Sequence, residues 1–129
     1  DLPEAVTALA WSLDGTAVVI GCEDGLVSIW SAVHFRQLGT SISHRSRINC
    51  IQFSQDGSMM AIGCVNGEVQ IYDFATHIPV GPTLTHSSSI RRLIFSSKDR
   101  LQVHTTDLHM HIWTIPRSFP SLAESPSDA

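Results

Sequence analysis

Lysine is almost missing from this chain. Lys98 is the only one in 129 residues, and eight Lys and Arg face twelve Asp and Glu, leaving a formal net charge of −4 and a pI of about 5.9. A sequence-independent grip on phosphate backbones needs a basic balance, so this composition argues against a nucleic-acid partner. Long hydrophobic runs are absent as well: stretches such as Ala17 to Ile20 fall far short of the roughly 20 apolar residues that cross a bilayer. No membrane span is expected. The opening Asp1-Leu-Pro-Glu shows no basic start followed by an apolar run, so no secretory leader is expected either. Cysteine is scarce and odd in number, with three residues, and Cys22 and Cys64 hold equivalent points of two repeats instead of forming a pair. Small buried thiols in a reducing compartment are the simplest account.

The phrases that carry catalysis are missing too. There is no Gly-x-Ser-x-Gly, no glycine-rich phosphate loop and no metalloprotease helix. Glu23 and Asp24 are neighbours in a turn whose side chains point apart, which is no arrangement for an acid–base pair. No enzyme activity and no cofactor are expected.

What is present is repetition. Trp11-Ser-Leu-Asp-Gly15, Ile20-Gly-Cys-Glu-Asp-Gly25 and Val27-Ser-Ile-Trp30 return as Phe53-Ser-Gln-Asp-Gly57, Ile62-Gly-Cys-Val-Asn-Gly67 and Val69-Gln-Ile-Tyr72, 42 residues on (53 − 11). A more worn third copy runs Phe95-Ser-Ser-Lys-Asp99, Asp107 and Met110-His-Ile-Trp113. A fixed period between about 20 and 50 residues marks a repeat architecture. With 43% hydrophobic residues there is enough apolar volume for a core.

Each copy reads as strands joined by tight turns. Val6 to Trp11 alternates at the strand period of two, Asp14-Gly15 supplies a turn, and the β-branched Ala17 to Ile20 reads as a strand buried on both faces. Leu26 to Trp30 makes a third strand and Gln37 to Ile42, around Gly39, a weaker fourth. The second copy follows with Ile48 to Phe53, Met59 to Gly63, Glu68 to Asp73 and Val80 to Leu84, the last an edge strand because Pro79 and Pro82 cannot donate to a ladder. The third has Ile90 to Phe95, Leu101 to Thr105 and His109 to Thr114. Residues 1–115 therefore divide into repeats of about 5–45, 46–87 and 88–115. The Pro- and Ser-rich stretch 116–129 reads as a disordered tail, so a fourth strand of the third copy is missing or poor.

These motifs resemble those of the WD-repeat β-propeller family. The family phrase has a histidine before the first strand, a strand ending Phe-Ser-x-Asp-Gly, a Gly-Ser-x-Asp-like turn and a strand closing in Trp-Asp. His44 and His86 stand at the histidine place, Asp24, Asn66 and Asp107 at the turn, and Trp30, Tyr72 and Trp113 at the closing aromatic. The resemblance implies an all-β segment of three antiparallel blades, incomplete as a closed ring, in which these residues are structural. It also implies intracellular work, cytoplasmic or nuclear, as a non-catalytic protein-interaction scaffold. In the family, histidine, serine or threonine, aspartate and tryptophan often form one hydrogen-bonded set per blade. Here Leu2 stands in the first histidine place, Asn66 replaces an aspartate, and Ile20 and Ile62 take the serine place, so packing is expected to carry the blades.

Three blades leave two apolar faces uncovered, whereas closed propellers have about 4–8 blades. Either further blades of a longer protein or self-association would cover them. Arg45, Arg47, Arg91 and Arg92 cluster where the first strands of the second and third copies begin, with Asn49 at the border. Arginine pairs with carboxylate or phosphate through two parallel donors, so an acidic or phosphorylated peptide or protein on the loop face is the expected partner. The alternatives are a fragment of a larger WD-repeat protein, such as the sensor repeats of a nucleotide-driven switch protein, with no function of its own, and a metal-dependent enzyme built on His109 and His111. No metal site is expected, because the sequence places no third ligand beside that pair.

Overall fold

The computed structural model describes residues 5–115, so the expected tail over 116–129 and Leu2 lie outside the described residues. Within them the chain is all strand and turn. The first antiparallel sheet runs in chain order through β1 (Val6–Trp11), β2 (Ala17–Cys22), β3 (Leu26–Ser31) and the short β4 (Ile42–Ser43). The second repeats the order with β5 (Ile48–Phe53), β6 (Met59–Cys64), β7 (Glu68–Asp73) and β8 (Ile78–Thr85). The third has three strands among the described residues, β9 (Ile90–Ser97), β10 (Arg100–Thr105) and β11 (Met110–Thr114). Lead strands β1, β5 and β9 lie side by side across the two seams, so the three sheets form an open arc of propeller blades.

The turn after each lead strand is closed by one device. Ser12 Oγ donates to Asp14 Oδ1 (2.8 Å) and accepts from the Ala17 amide (3.1 Å), and Ser54 does the same with Asp56 (2.9 Å) and Met59 (3.1 Å). In the third sheet the residue in this role is Ser97, bonded to Asp99 at 3.0 Å, one residue later than Ser96, which stands 42 residues beyond Ser54. The extra residue lengthens β9 and is absorbed as a register shift at Arg100/Leu101. The fourth strand of the first copy also differs from expectation. Phe35 and Gly39 adopt positive φ, which breaks an extended run, so Gln37 makes only an isolated bridge to Trp30 and regular pairing waits until Ile42. Pro79 and Pro82 lie in β8, an edge strand as their missing amide protons require.

Cross-strand partners share a face of the sheet, so each sheet has a front and a rear. The rear of the first (Ala17, Val19, Val27, Ile29) packs on the front of the second (Ile51, Phe53, Met60, Ile62, Tyr72). The rear of the second (Ala61, Val69, Ile71) packs on the front of the third (Leu93, Phe95, Leu101, Val103). The front of the first sheet meets no other sheet among the described residues. Leu9 and Trp11 there are 55% and 56% exposed, whereas Ile51 and Phe53, their equivalents 42 residues on, are 8% and 6% exposed. Val18 and Ile20 are half-buried for the same reason, which corrects the expectation of a strand buried on both faces.

Each seam is keyed by an isoleucine against a glycine. A Cβ on Gly21 would lie 2.4 Å from Ile48 Cγ2, and one on Gly63 would lie 2.6 Å from Ile90 Cγ2 and 2.9 Å from Cys50 Sγ. Both isoleucines are fully buried. Gly21→Ala or Gly63→Ala is therefore expected to cost about 1–3 kcal/mol, the usual penalty for overpacking a dense core. A denaturant midpoint equal to that of the unmodified chain would show that the sheets are not held this closely. The closing aromatics divide by the same geometry: Tyr72 is buried at the first seam while Trp30, on the open front, is half-buried. Tyr72→Phe, which retains the ring, should cost less than Tyr72→Ala, for which about 3–5 kcal/mol is expected, and Trp30→Ala should cost less than half of the latter in the same denaturation experiment.

Candidate functional site

Each lead strand begins with a bulge, at Val6/Ala8, Ile48/Cys50 and His104/Thr105 opposite Arg92 and Ile90. The extra residue is Thr7, Asn49 or Arg91, which the 42-residue period makes equivalent. A bulge swings its side chain out of the regular alternation, and here it swings toward the next sheet. Thr7 Oγ1 donates to the Ile48 carbonyl (2.5 Å), and Asn49 Nδ2 donates to the Ile90 carbonyl (2.6 Å). Asn49, expected to border a binding patch, thus has its amide nitrogen committed to a seam. Arg91 makes no such bond to a following sheet among the described residues.

The four arginines are separated by this geometry. Arg47 is half-exposed and ion-paired with Glu23 of the first sheet at 3.1 Å, and Arg45 is exposed in the loop before β5. Arg91 and Arg92 are exposed at the head of β9, and both line a cleft of about 460 Å³ between β5 and β9. Cys50, Gln52 and Gln55 supply the opposite wall, with Leu13 at one end, and among the described residues no carboxylate lines it. The structure therefore brings Arg91 and Arg92 to one cleft and leaves Arg47 engaged elsewhere.

His44 and His86 are bonded into the sheets. His86 Nδ1 lies 2.9 Å from the Gly67 carbonyl, which only accepts, and its Nε2 lies 3.0 Å from Trp113 Nε1, which only donates. The ring is therefore fixed with its proton on Nδ1, tying the second sheet to the third. His44 makes the matching contact with the Tyr72 hydroxyl at 3.2 Å. Half of the family's polar set thus survives without its serine relay. In the first sheet, Trp30 Nε1 donates to Ser28 Oγ at 2.9 Å instead. The other half has turned inward on the hairpins: Asp24 Oδ1 accepts from the Leu26 amide and Asn66 Oδ1 from the Glu68 amide, each at 3.1 Å. Asp107 accepts from Thr105 Oγ1 at 2.5 Å, and its carboxyl is held below the usual range mainly by that bond.

Burial pushes the Cys50 thiol up to about 12 and the Cys64 thiol up to about 11, so neither forms a nucleophilic thiolate at neutral pH. His109 lies in the turn before β11 with Nδ1 3.1 Å from Asp107 Oδ2, while the His111 ring lies 4.8 Å from that of His86 and 6.4 Å from that of His109. Among the described residues no three His, Cys, Asp or Glu side chains gather to hold a metal ion.

The repeated four-strand sheet, the glycine-keyed seams and the histidine–aromatic bonds define an open arc of WD-type propeller blades. The chain belongs to the family of the anaphase-promoting complex subunit 4 WD40 domain, whose model matches residues 2–54 and 37–98. Among solved structures it is similar to the RRP9 WD40 repeats and to U3-55K, each at 21% identity and a TM-score of 0.80 over 91% of this chain. It is also similar to the computationally designed protein Ika8, at 26% identity and a TM-score of 0.76 over 88% of this chain. The chain spans 39% of the length of the first two and 36% of the third. No curated protein matches its sequence.

Burial holds both His44 and His86 below the ordinary value of 6.5. Their unfolded forms therefore bind protons that the folded forms refuse, so stability is full above about pH 6.5 and falls as pH drops below it. The thermal midpoint is expected to fall between pH 7.5 and pH 5. His86→Gln should shrink that fall; an equal fall in the variant would remove His86 as a cause.

Proposed function

We propose that the chain is a non-catalytic protein-interaction module whose partner presents an acidic or phosphorylated segment to the loop-facing arginines. Membership of a WD40 family supports the scaffold role. The observation that carries the finer proposal is the cleft between β5 and β9, which Arg91 and Arg92 line with no compensating carboxylate among the described residues. A guanidinium binds carboxylate or phosphate through two parallel hydrogen bonds, and neither arginine has a hydrogen-bond or ion-pair partner among the described residues to surrender. Arg45 adds a third exposed guanidinium, beside β5. Arg47 would have to release Glu23 to join them, and Asn49 holds a seam.

A second role, as part of a larger propeller in an intracellular assembly, draws support from two observations. The chain spans 39% of the similar solved structures, and the apolar Leu9 and Trp11 are open on the first sheet. The two roles are compatible, since a scaffold can be built from more blades than these.

A fluorescent peptide with one phosphoserine among glutamates supplies the test, read by anisotropy. Exchanging Arg91 and Arg92 for glutamate is expected to weaken its binding by about tenfold or more, the loss of a charge-assisted pair, with an unchanged thermal midpoint. Undiminished binding would remove the cleft from the proposal.

A further inference from the structure

The two histidine–aromatic ties differ in the chemistry of the partner. His44 Nε2 lies 3.2 Å from the Tyr72 hydroxyl, and His86 Nε2 lies 3.0 Å from Trp113 Nε1. A phenol hydroxyl both donates and accepts, so it can turn to meet an imidazole nitrogen whether or not that nitrogen carries a proton. An indole N–H only donates. When His86 Nε2 takes up a proton, two N–H groups face each other and the bond to the third sheet is lost. The Nδ1 bond to the Gly67 carbonyl, at 2.9 Å, uses a proton that the ring carries in both states, so it survives. The charged ring therefore stays with the second sheet and releases Trp113.

The charges around the two rings widen the difference. Glu68, Gln70 and Tyr72 alternate along β7 and share its front face. Burial lowers the proton affinity of His44, but the Glu68 carboxylate opposes that by favouring the charged ring. Burial holds His86 below its ordinary value as well, partly offset by the Gly67 bond, and here the neighbouring group is another imidazole: the His111 ring on β11, 4.8 Å away, opposes a charge on His86. His109, 6.4 Å from His111, has its Nδ1 3.1 Å from Asp107 Oδ2, and Asp107 also accepts from Thr105 within that turn. Ser88 and Thr106, whose hydroxyls join the loop after β8 to the third sheet at 2.6 Å, carry no charge. Among the described residues no carboxylate is bonded to His86 or His111.

The strand held by this bond is the one with least else to hold it. β11 pairs only with β10 among the described residues, and its Met110 and Ile112 are 50% and 55% exposed. Trp113 is its contact with the second seam, where it packs half-buried.

We propose that His86 is an acid-released latch of the second seam: a proton on Nε2 frees Trp113 and loosens the third sheet from the second, while the first seam, tied through Tyr72, stays closed. The device uses none of the residues that line the arginine cleft.

Amide hydrogen exchange on the whole chain at pH 7.5 and pH 5.5, corrected for the intrinsic pH dependence of exchange, reads each strand separately. Protection of β10 and β11 is expected to fall by about tenfold more than that of β2 and β3, the equivalent of one lost hydrogen bond. Trp113→Tyr gives the second seam the hydroxyl that the first already has and should abolish this difference. His86→Gln, whose amide donates and accepts without titrating, should abolish it too and serves if the tyrosine variant does not fold. A fall shared equally by the three sheets would overturn the proposal, as would a difference left undiminished in either folded variant.

Discussion

The spacing of the sheets depends on one contact made twice: a branched isoleucine at the head of a lead strand, seated where a glycine leaves room for it. Ile48 sits against Gly21 and Ile90 against Gly63. The same isoleucines are held at their main chains, since their carbonyls accept from Thr7 and Asn49 across the seam. Side-chain packing and backbone hydrogen bonding thus fix the same two residues. Because the side chain is dry and the carbonyl is paired, neither half of the contact can slip without leaving a void or an unpaired polar atom. The rest of each seam, from Phe53 at the first to Phe95 at the second, follows from that spacing.

The histidines add a second tie with a different chemistry. His86 needs its Nδ1 proton for the Gly67 carbonyl and its Nε2 lone pair for Trp113, so only the neutral ring satisfies both. The family set of four polar residues would distribute this work along a serine relay; here Ile20 and Ile62 take that place, and the histidines reach their aromatic partners directly. The aspartates released from the set are not idle. Asp24 and Asp107, with Asn66 between them in sequence, tighten the hairpins through local acceptor bonds of the kind that Asx side chains make in turns.

Most of the strand pattern was legible in the sequence because its signals are local: Asp-Gly turns, β-branched runs and the 42-residue period each act over a few residues. What was not legible depended on the seams. Trp30 and Tyr72 look alike in sequence, yet one is half-buried and the other buried, because burial depends on whether another sheet covers the front. Asn49 reads as a surface polar residue until the bulge turns it toward Ile90. Ser96 has the right phase, but the third copy carries an extra residue and Ser97 meets Asp99 instead. Of the arginine cluster, the sequence shows proximity along the chain; only the fold separates Arg47, paired to Glu23, from Arg91 and Arg92 at the cleft.

The two open faces of the arc differ in kind. The front of the first sheet keeps the apolar places that the seams use: Val6 stands in the isoleucine place, Leu9 and Trp11 in the places of Ile51 and Phe53, and all three are exposed. Its shape and polarity are those of a surface that packs against the rear of a blade. The rear of the third sheet has lost the notch at His104 and gained charge at Arg92 and Arg100. A chain whose repeats were merely decaying would lose apolar residues on both faces alike. Here the front retains them, whereas on the rear Arg92, Arg100, Gln102 and His104 stand where the other two sheets carry small or apolar side chains.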